Sequence, residues 1–140
     1  MTSEWYPEKL RVADSGNRVT LDFLLANFSP ESAFNYAEFG VYQGATAREV
    51  AQSFPNANLF LFDFHQTLEN LRPNFIEFGK RVRFFGNSQL YNDNYNWTFS
   101  KLLETENVFF DYIYLDGAHT FSVDALTFFC LTWFSVTEDS

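Results

Sequence analysis

Phe34-Asn35-Tyr36-Ala37-Glu38-Phe39-Gly40-Val41-Tyr42-Gln43-Gly44 is the stretch on which the reading of this chain turns. Phe34 to Val41 is rich in the aromatic and apolar residues that suit a buried, pleated strand. Gly40 and Gly44, at and beyond its end, let the backbone turn sharply and approach a neighbour with no Cβ in the way. Ala47, Val50, Ala51 and Phe54 then recur at helical spacing, and Pro55-Asn56 closes that pattern. A strand, a glycine turn and a helix, in that order, begin a βαβ unit. The first turn of the helix offers backbone N–H groups that have no partner inside it. Such a turn can hold a ligand, and it can equally be a tight connection that holds none.

The same grammar extends in both directions. Upstream, Leu21, Leu24, Leu25 and Phe28 mark an amphipathic helix that Ser29-Pro30 ends. Downstream, Leu59-Phe60-Leu61-Phe62-Asp63 is an unbroken apolar run ending in an acid, as a central parallel strand requires. Leu68, Leu71, Phe75 and Phe78 suggest a second crossover helix, with Pro73 implying a kink or a late start and Gly79 suiting its end. Val82 to Phe85 reads as a third strand, followed by Gly86-Asn87-Ser88. Leu90 to Thr98, rich in Asn and Tyr, reads as a loop before a short helix marked by Phe99, Leu102 and Leu103. Phe109 to Leu115 is a fourth strand that Asp116-Gly117 ends. Thr120 to about Val136 is apolar on nearly every side, which predicts a helix buried on more than one face. Strands alternating with helices specify an α/β fold, a Rossmann-like three-layer α/β/α sandwich with a mainly parallel sheet.

Composition narrows the class. The chain has 140 residues, enough for one domain over 1–140 and too few for two. It is 46% hydrophobic and 21% aromatic, so a packed core is expected and disorder is not. Its net charge of -9 repels phosphate backbones and argues against a nucleic-acid partner. Lys80, Arg81 and Arg83 are the only close basic group and read as the solvated start of a strand. Cys130 is the single cysteine, so no intrachain disulfide can form, and its apolar neighbours suggest a buried thiol. The N-terminus carries no charged-then-apolar signal segment. Ala125 to Val136 is too short to span a bilayer. A cytoplasmic protein with no membrane partner is the expectation.

In doubly wound sheets, ligands bind beyond the carboxyl ends of the strands. Glu38, Gly40, Tyr42 and Gly44 fall there. Asp63 follows the glycine turn by about twenty residues, the separation at which dinucleotide folds place a ribose-binding acid. It could also be a helix cap or an exposed turn acid. The glycine spacing is not Gly-x-Gly-x-x-Gly, which weakens the case for a nicotinamide or flavin dinucleotide. Asn87 both donates and accepts, as an adenine edge requires, although Asn and Ser are also ordinary turn formers. Asp116 could orient an ammonium or hydroxyl group, and His119 could act as a general base. The plainer alternative is that Asp116 caps the next helix and His119 is exposed in its first turn. His65 reads as a turn residue. One Cys and two His with no close ligand set do not support a structural zinc site.

Taken together, Ala37 to Thr46, Leu61 to Phe64, Phe85 to Ser88 and Tyr112 to His119 resemble the class I S-adenosylmethionine-dependent methyltransferases. The subgroup they resemble most is the small-molecule and sugar O-methyltransferase-like one. The likeness runs in family order over roughly residues 20 to 135. It implies that Glu38, Gly40, Tyr42 and Gly44 form the loop under the methionine part of S-adenosylmethionine. Asp63 would hold the ribose, Phe64 would pack near the adenine, and Asn87 and Ser88 would touch its amine. Family members commonly have Asp where this chain has Asn87. Asp116 would sit near the methionine end and the acceptor, with Asp116 or His119 taking the acceptor's proton. The implied chemistry is in-line methyl transfer to a hydroxyl or amine of a small molecule, achieved largely by holding donor and acceptor in line.

The family's sheet continues beyond this point into further strands, whose acids bind a metal in some members. This sequence ends at Ser140, so the expected fold is the family's domain truncated after its fourth strand and helix. Asp116 lacks those metal partners, and no metal is assigned. The fourth strand would become an open edge, and the helix after it would lose part of its cover. A homodimer through that edge or the C-terminal helix could restore it, or the sequence is a fragment of a longer product. Two other functions compete: a non-catalytic module that binds S-adenosylmethionine or S-adenosylhomocysteine, and a nicotinamide-dependent reductase.

Overall fold

In the computed structural model, which describes residues 15–88, 94–117 and 120–136, the strand ahead of the glycine turn is β1, Asn35–Phe39. Helix α1 (Ser15–Asn27) precedes it, and α2 (Ala45–Ser53) and β2 (Asn58–Phe64) follow. Next come α3 (His65–Leu71), a 3-10 helix (Arg72–Arg81), β3 (Val82–Asn87), α4 (Tyr95–Thr105), β4 (Tyr112–Leu115) and α5 (Phe121–Val136). All strand pairs are parallel, in the order β3-β2-β1-β4. The fold is the Rossmann-like α/β sandwich, with β4 at the open edge. The chain steps outward from β1 to β2 and β3, then returns through α4 to lay β4 on the other side of β1. The strand order therefore reverses between β1 and β4, where ligands bind in such sheets.

The pleat sends alternate side chains to opposite faces. On the first face, Tyr36, Leu59 and Leu61 pack with Leu24 of α1, Val50 of α2, Leu68 and Leu71 of α3, and Phe75. On the second, Phe39, Phe60 and Phe62 pack with Tyr95, Phe99 and Leu102 of α4. The rings of Phe39 and Phe62 stack at 4.4 Å, Phe62 and Phe85 at 4.8 Å, and Phe99 meets Phe39 edge-on. Each fully buried Phe contributes about 2–3 kcal/mol by removing apolar surface from water.

Several elements differ from the sequence reading. Strand β4 starts at Tyr112 instead of Phe109. Asn35 explains this: its N–H donates to Asp111 Oδ2 at 2.8 Å and its Nδ2 donates to the Phe109 carbonyl at 2.7 Å. Side-chain bonds thus replace a regular ladder there. Tyr95–Thr98 belong to α4 instead of a loop, because the Asn94 side chain accepts the Asn96 N–H at 2.9 Å and caps the helix; residues 90–93 of the expected loop lie outside the described residues. Pro73 sits in the first turn of the 3-10 helix, where a proline costs least, and Gly79, at φ 61°, breaks that helix.

The basic trio is structural in part. Arg81 donates to the carbonyls of Ala51, Phe54 and Ala57, tying down the end of α2. Arg83 makes a two-pronged pair with Glu106 at 2.8 and 2.6 Å. The expectation that α5 is buried on more than one face is corrected most. Phe121 is 91% exposed and Leu126 51%, while Thr127 is fully buried. Because β4 is the sheet's edge, only one side of α5 has a neighbour to pack on among the described residues. No helix among the described residues is long and apolar enough to cross a membrane.

Candidate functional site

Gly40 ends β1 with φ 88°, and its N–H continues the ladder to the Phe62 carbonyl at 2.9 Å. A Cβ there would overlap the carbonyl oxygen of Asp116 and lie 2.5 Å from Gly117 Cα. The close approach expected of this glycine is therefore to the chain's own β4 turn. Gly40 brings the ends of β1 and β4 into contact where the strand order reverses.

The turn beyond Gly40 is held from β2. Asp63 Oδ2 accepts the N–H groups of Val41 at 2.7 Å and Tyr42 at 2.8 Å, and its Oδ1 accepts the Phe64 N–H at 2.6 Å. Tyr42 has φ 52°, the one positive φ outside glycine among the described residues, and its side chain is 73% exposed. That conformation is unfavourable for tyrosine by about 1 kcal/mol or more, so the Asp63 bond stabilises it. Gly44, at φ 76°, precedes α2, and a Cβ there would crowd the Phe75 ring at 3.1 Å. Gln43 Oε1 is buried with no hydrogen-bond partner among the described residues.

Glu38 is 2% exposed, and its Oε2 accepts the Tyr36 hydroxyl at 2.7 Å. Burial pushes its carboxyl up to about 8; the Tyr36 bond pulls the other way, and the negative charges of Asp116 and Asp63 push it further up. Burial and the Glu38 charge likewise raise the Tyr36 phenol. At neutral pH Glu38 therefore carries a proton for much of the time. Asp116, at the end of β4, accepts the Tyr114 hydroxyl at 3.1 Å through Oδ2. Among the described residues, no group of His, Cys, Asp and Glu is arranged to hold a metal ion.

Thus Glu38, Gly40, Tyr42, Gly44, Asp63 and Asp116 come together at one end of the sheet. Phe64 and Asn87 face each other in register between β2 and β3, with Ser88 next in the chain. Asn87 is buried and Phe64 is partly exposed. Three strand spacings separate β3 from β4, on the order of 14 Å. His65, read as a turn residue, is instead the first residue of α3 and packs over Gly86, where a Cβ would lie 2.9 Å from His65 Cα. His119, the other proposed base, and the Cys130 side chain lie outside the described residues.

Sequence reasoning missed three partnerships. Asp63 clamps the glycine turn, a role the spacing did not foretell. Tyr36 could have been paired with Glu38, since residues two apart on a strand share a face. Tyr95, assigned to a loop, places its hydroxyl against Gly117 and donates it to Asp124 of α5. The one signal for that was the capping Asn94. No protein-family model matches the chain, and searches of curated proteins and of solved structures return no match.

Proposed function

We propose that the crevice between the ends of β1 and β4 binds S-adenosylmethionine, and that the chain serves methyl transfer to a hydroxyl or amine of a small-molecule acceptor. The observation that carries this reading is the convergence of Glu38, Asp63 and Asp116 at the switch point, where Gly40 meets the Asp116-Gly117 turn. A crevice edged with the Asp63 and Asp116 carboxyl groups attracts a ligand carrying sulfonium and ammonium charges and repels one carrying a pyrophosphate. This favours the sulfonium over a nicotinamide dinucleotide.

The residues fit such a ligand. Gln43 Oε1 is a buried acceptor suited to an amine. Glu38 and the glycine turn would lie under the methionine part. Asp63 Oδ2 already accepts two backbone N–H groups, but Oδ1 accepts one and can take one more bond, as a ribose hydroxyl would give. Phe64, Asn87 and Ser88 would serve the adenine. The span from β3 to β4 suits a nucleoside joined to an amino acid. Bound there, S-adenosylmethionine supplies a methyl group on a cationic sulfur. Asp116, solvent-facing at the tip of β4, would orient the acceptor and take its proton; His119 is the alternative base.

The open edge at β4 favours one second reading, a module that binds the cofactor without turnover, because no further strand beside Asp116 builds an acceptor wall among the described residues. Methyl-labelled S-adenosylmethionine, offered with a panel of hydroxyl and amine acceptors, separates the two. Label transfer that Asp116→Asn abolishes supports the enzyme. Binding with no transfer to any acceptor class supports the module. Preferential binding of NADH contradicts both.

A further inference from the structure

The described part of the second face holds one polar contact aimed at the switch point, and neither the glycine turn nor the carboxyl groups account for it. Tyr95 is buried in the first turn of α4. Its ring meets Phe39, the residue before Gly40, edge-on at 5.5 Å. Its hydroxyl lies so close to Gly117 that a Cβ on that glycine would overlap it. The same hydroxyl donates to Asp124 Oδ1 in the first turn of α5. The Asp116-Gly117 turn is thus held between Gly40 on one side and the Tyr95 hydroxyl on the other, and each contact requires a glycine.

We infer that Tyr95 and Asp124 are a positioning pair that sets the Asp116-Gly117 turn, and with it the methionine end of the crevice, from the opposite face of the sheet. This rests on the cofactor reading above.

Attachment of α5 to α4 does not depend on the pair. Asn96 Nδ2 donates to the Val123 carbonyl at 3.0 Å, Thr127 Oγ1 donates to the same carbonyl at 3.0 Å, and the Thr127 hydroxyl also reaches Asn96 Oδ1. The two Asn96 bonds hold the helices together beside the pair, while the Thr127–Val123 bond lies within α5. What the Tyr95 bond adds is the direction of the hydroxyl. Donation to a carboxylate is stronger and more directional than donation to a neutral group, so it keeps the phenol beneath Gly117. Asp124 is in turn favoured by its place at a helix N-terminus. Tyr95→Phe preserves the ring and the stack on Phe39 but removes the bond. The β4 turn then gains freedom, while the Asp63 clamp and the β2–β3 side are untouched.

The test is a pair of titrations on the full chain, with adenosine and with S-adenosylmethionine. Tyr95→Phe and Asp124→Ala are each expected to weaken S-adenosylmethionine roughly tenfold, with adenosine changed by less than about twofold. Asp124→Asn retains a neutral, weaker acceptor and is expected to bind S-adenosylmethionine more tightly than Asp124→Ala. A parallel fall for both ligands would make Tyr95 a merely structural residue and overturn the inference, as would unchanged binding of S-adenosylmethionine in both variants. If Tyr95→Phe does not fold, the contrast between Asp124→Ala and Asp124→Asn decides alone. A wild-type chain that binds neither ligand removes the cofactor reading, and this inference falls with it.

Discussion

The two faces of the sheet are finished to different degrees. On the first, α1, α2, α3 and the 3-10 helix enclose Tyr36, Leu59 and Leu61 completely, and Glu38 is sealed in beside them. On the second, α4 covers an aromatic stack, but α5 leaves Phe121 and Leu126 in solvent. A closed face raises the proton affinity of a carboxyl at its end, because burial disfavours the charged form. An open face leaves apolar surface that can recruit a partner. The sheet therefore has a sealed carboxyl on one side and exposed apolar surface on the other.

The contrast can be broken most severely in the closed core. Leu61→Ala, which empties a fully buried site on the first face, is expected to cost about 2–5 kcal/mol in a urea melt. A cost under about 1 kcal/mol would mean that this face is loosely packed.

Glu38 gives the next effect and a distinct pH signature. Its carboxyl ionises at about 8 in the fold against an ordinary value of 4.5, so the folded chain holds an extra proton between those values. Stability from this group is full below the ordinary value, falls as pH rises through the window, and is lost above the folded value. Glu38→Gln keeps an acceptor for Tyr36 and removes the titration. Its Tm relative to wild type is expected to rise from about pH 5 to about pH 9. A pH-independent difference would show that Glu38 is not sealed.

Gly40→Ala comes third. It combines a positive φ with overlap on the Asp116 carbonyl, and a loss of about 2 kcal/mol or more is expected, together with loss of cofactor binding. Unchanged stability would separate the β1 and β4 ends. The smallest effect belongs to the open face. Phe121→Ser is expected to change stability by less than about 0.5 kcal/mol, because the side chain is already in water. If a second copy covers α5, as the sequence-based expectation of a homodimer has it, sedimentation velocity should show self-association in the wild type and less of it in this variant. A wild-type monomer at high concentration would contradict that expectation.

Much of this architecture was legible in the residues. Leu59 to Asp63 is apolar without interruption, and the glycines and Pro55 punctuate each unit, so β1, α2 and β2 could be placed from local pattern alone. The acids at strand ends were legible because parallel strands all deliver their carboxyl ends to one edge. What escaped notice depended on contacts between distant residues. Arg81 caps α2 from thirty positions away, counting Ala51 to Arg81. Asp63 spends its oxygens on the glycine turn, and Tyr95 reaches Asp124 across the α4–α5 contact. The uniform apolarity of α5 signalled burial, yet the position of β4 at the edge decided how much burial was available. Side-chain period reports what an element could bury; strand order decides what there is to bury it against.

The most direct test of the account is a calorimetric titration of the wild-type chain with S-adenosylmethionine at neutral pH, beside Asp116→Lys, which reverses a charge at the exposed tip of β4. The account predicts saturable binding at one site in the wild type and its loss in the variant. A folded wild-type chain that takes up no S-adenosylmethionine, or a variant that binds it equally well, would contradict the claim that the carboxyl groups at the β1–β4 switch point form a cationic-ligand site.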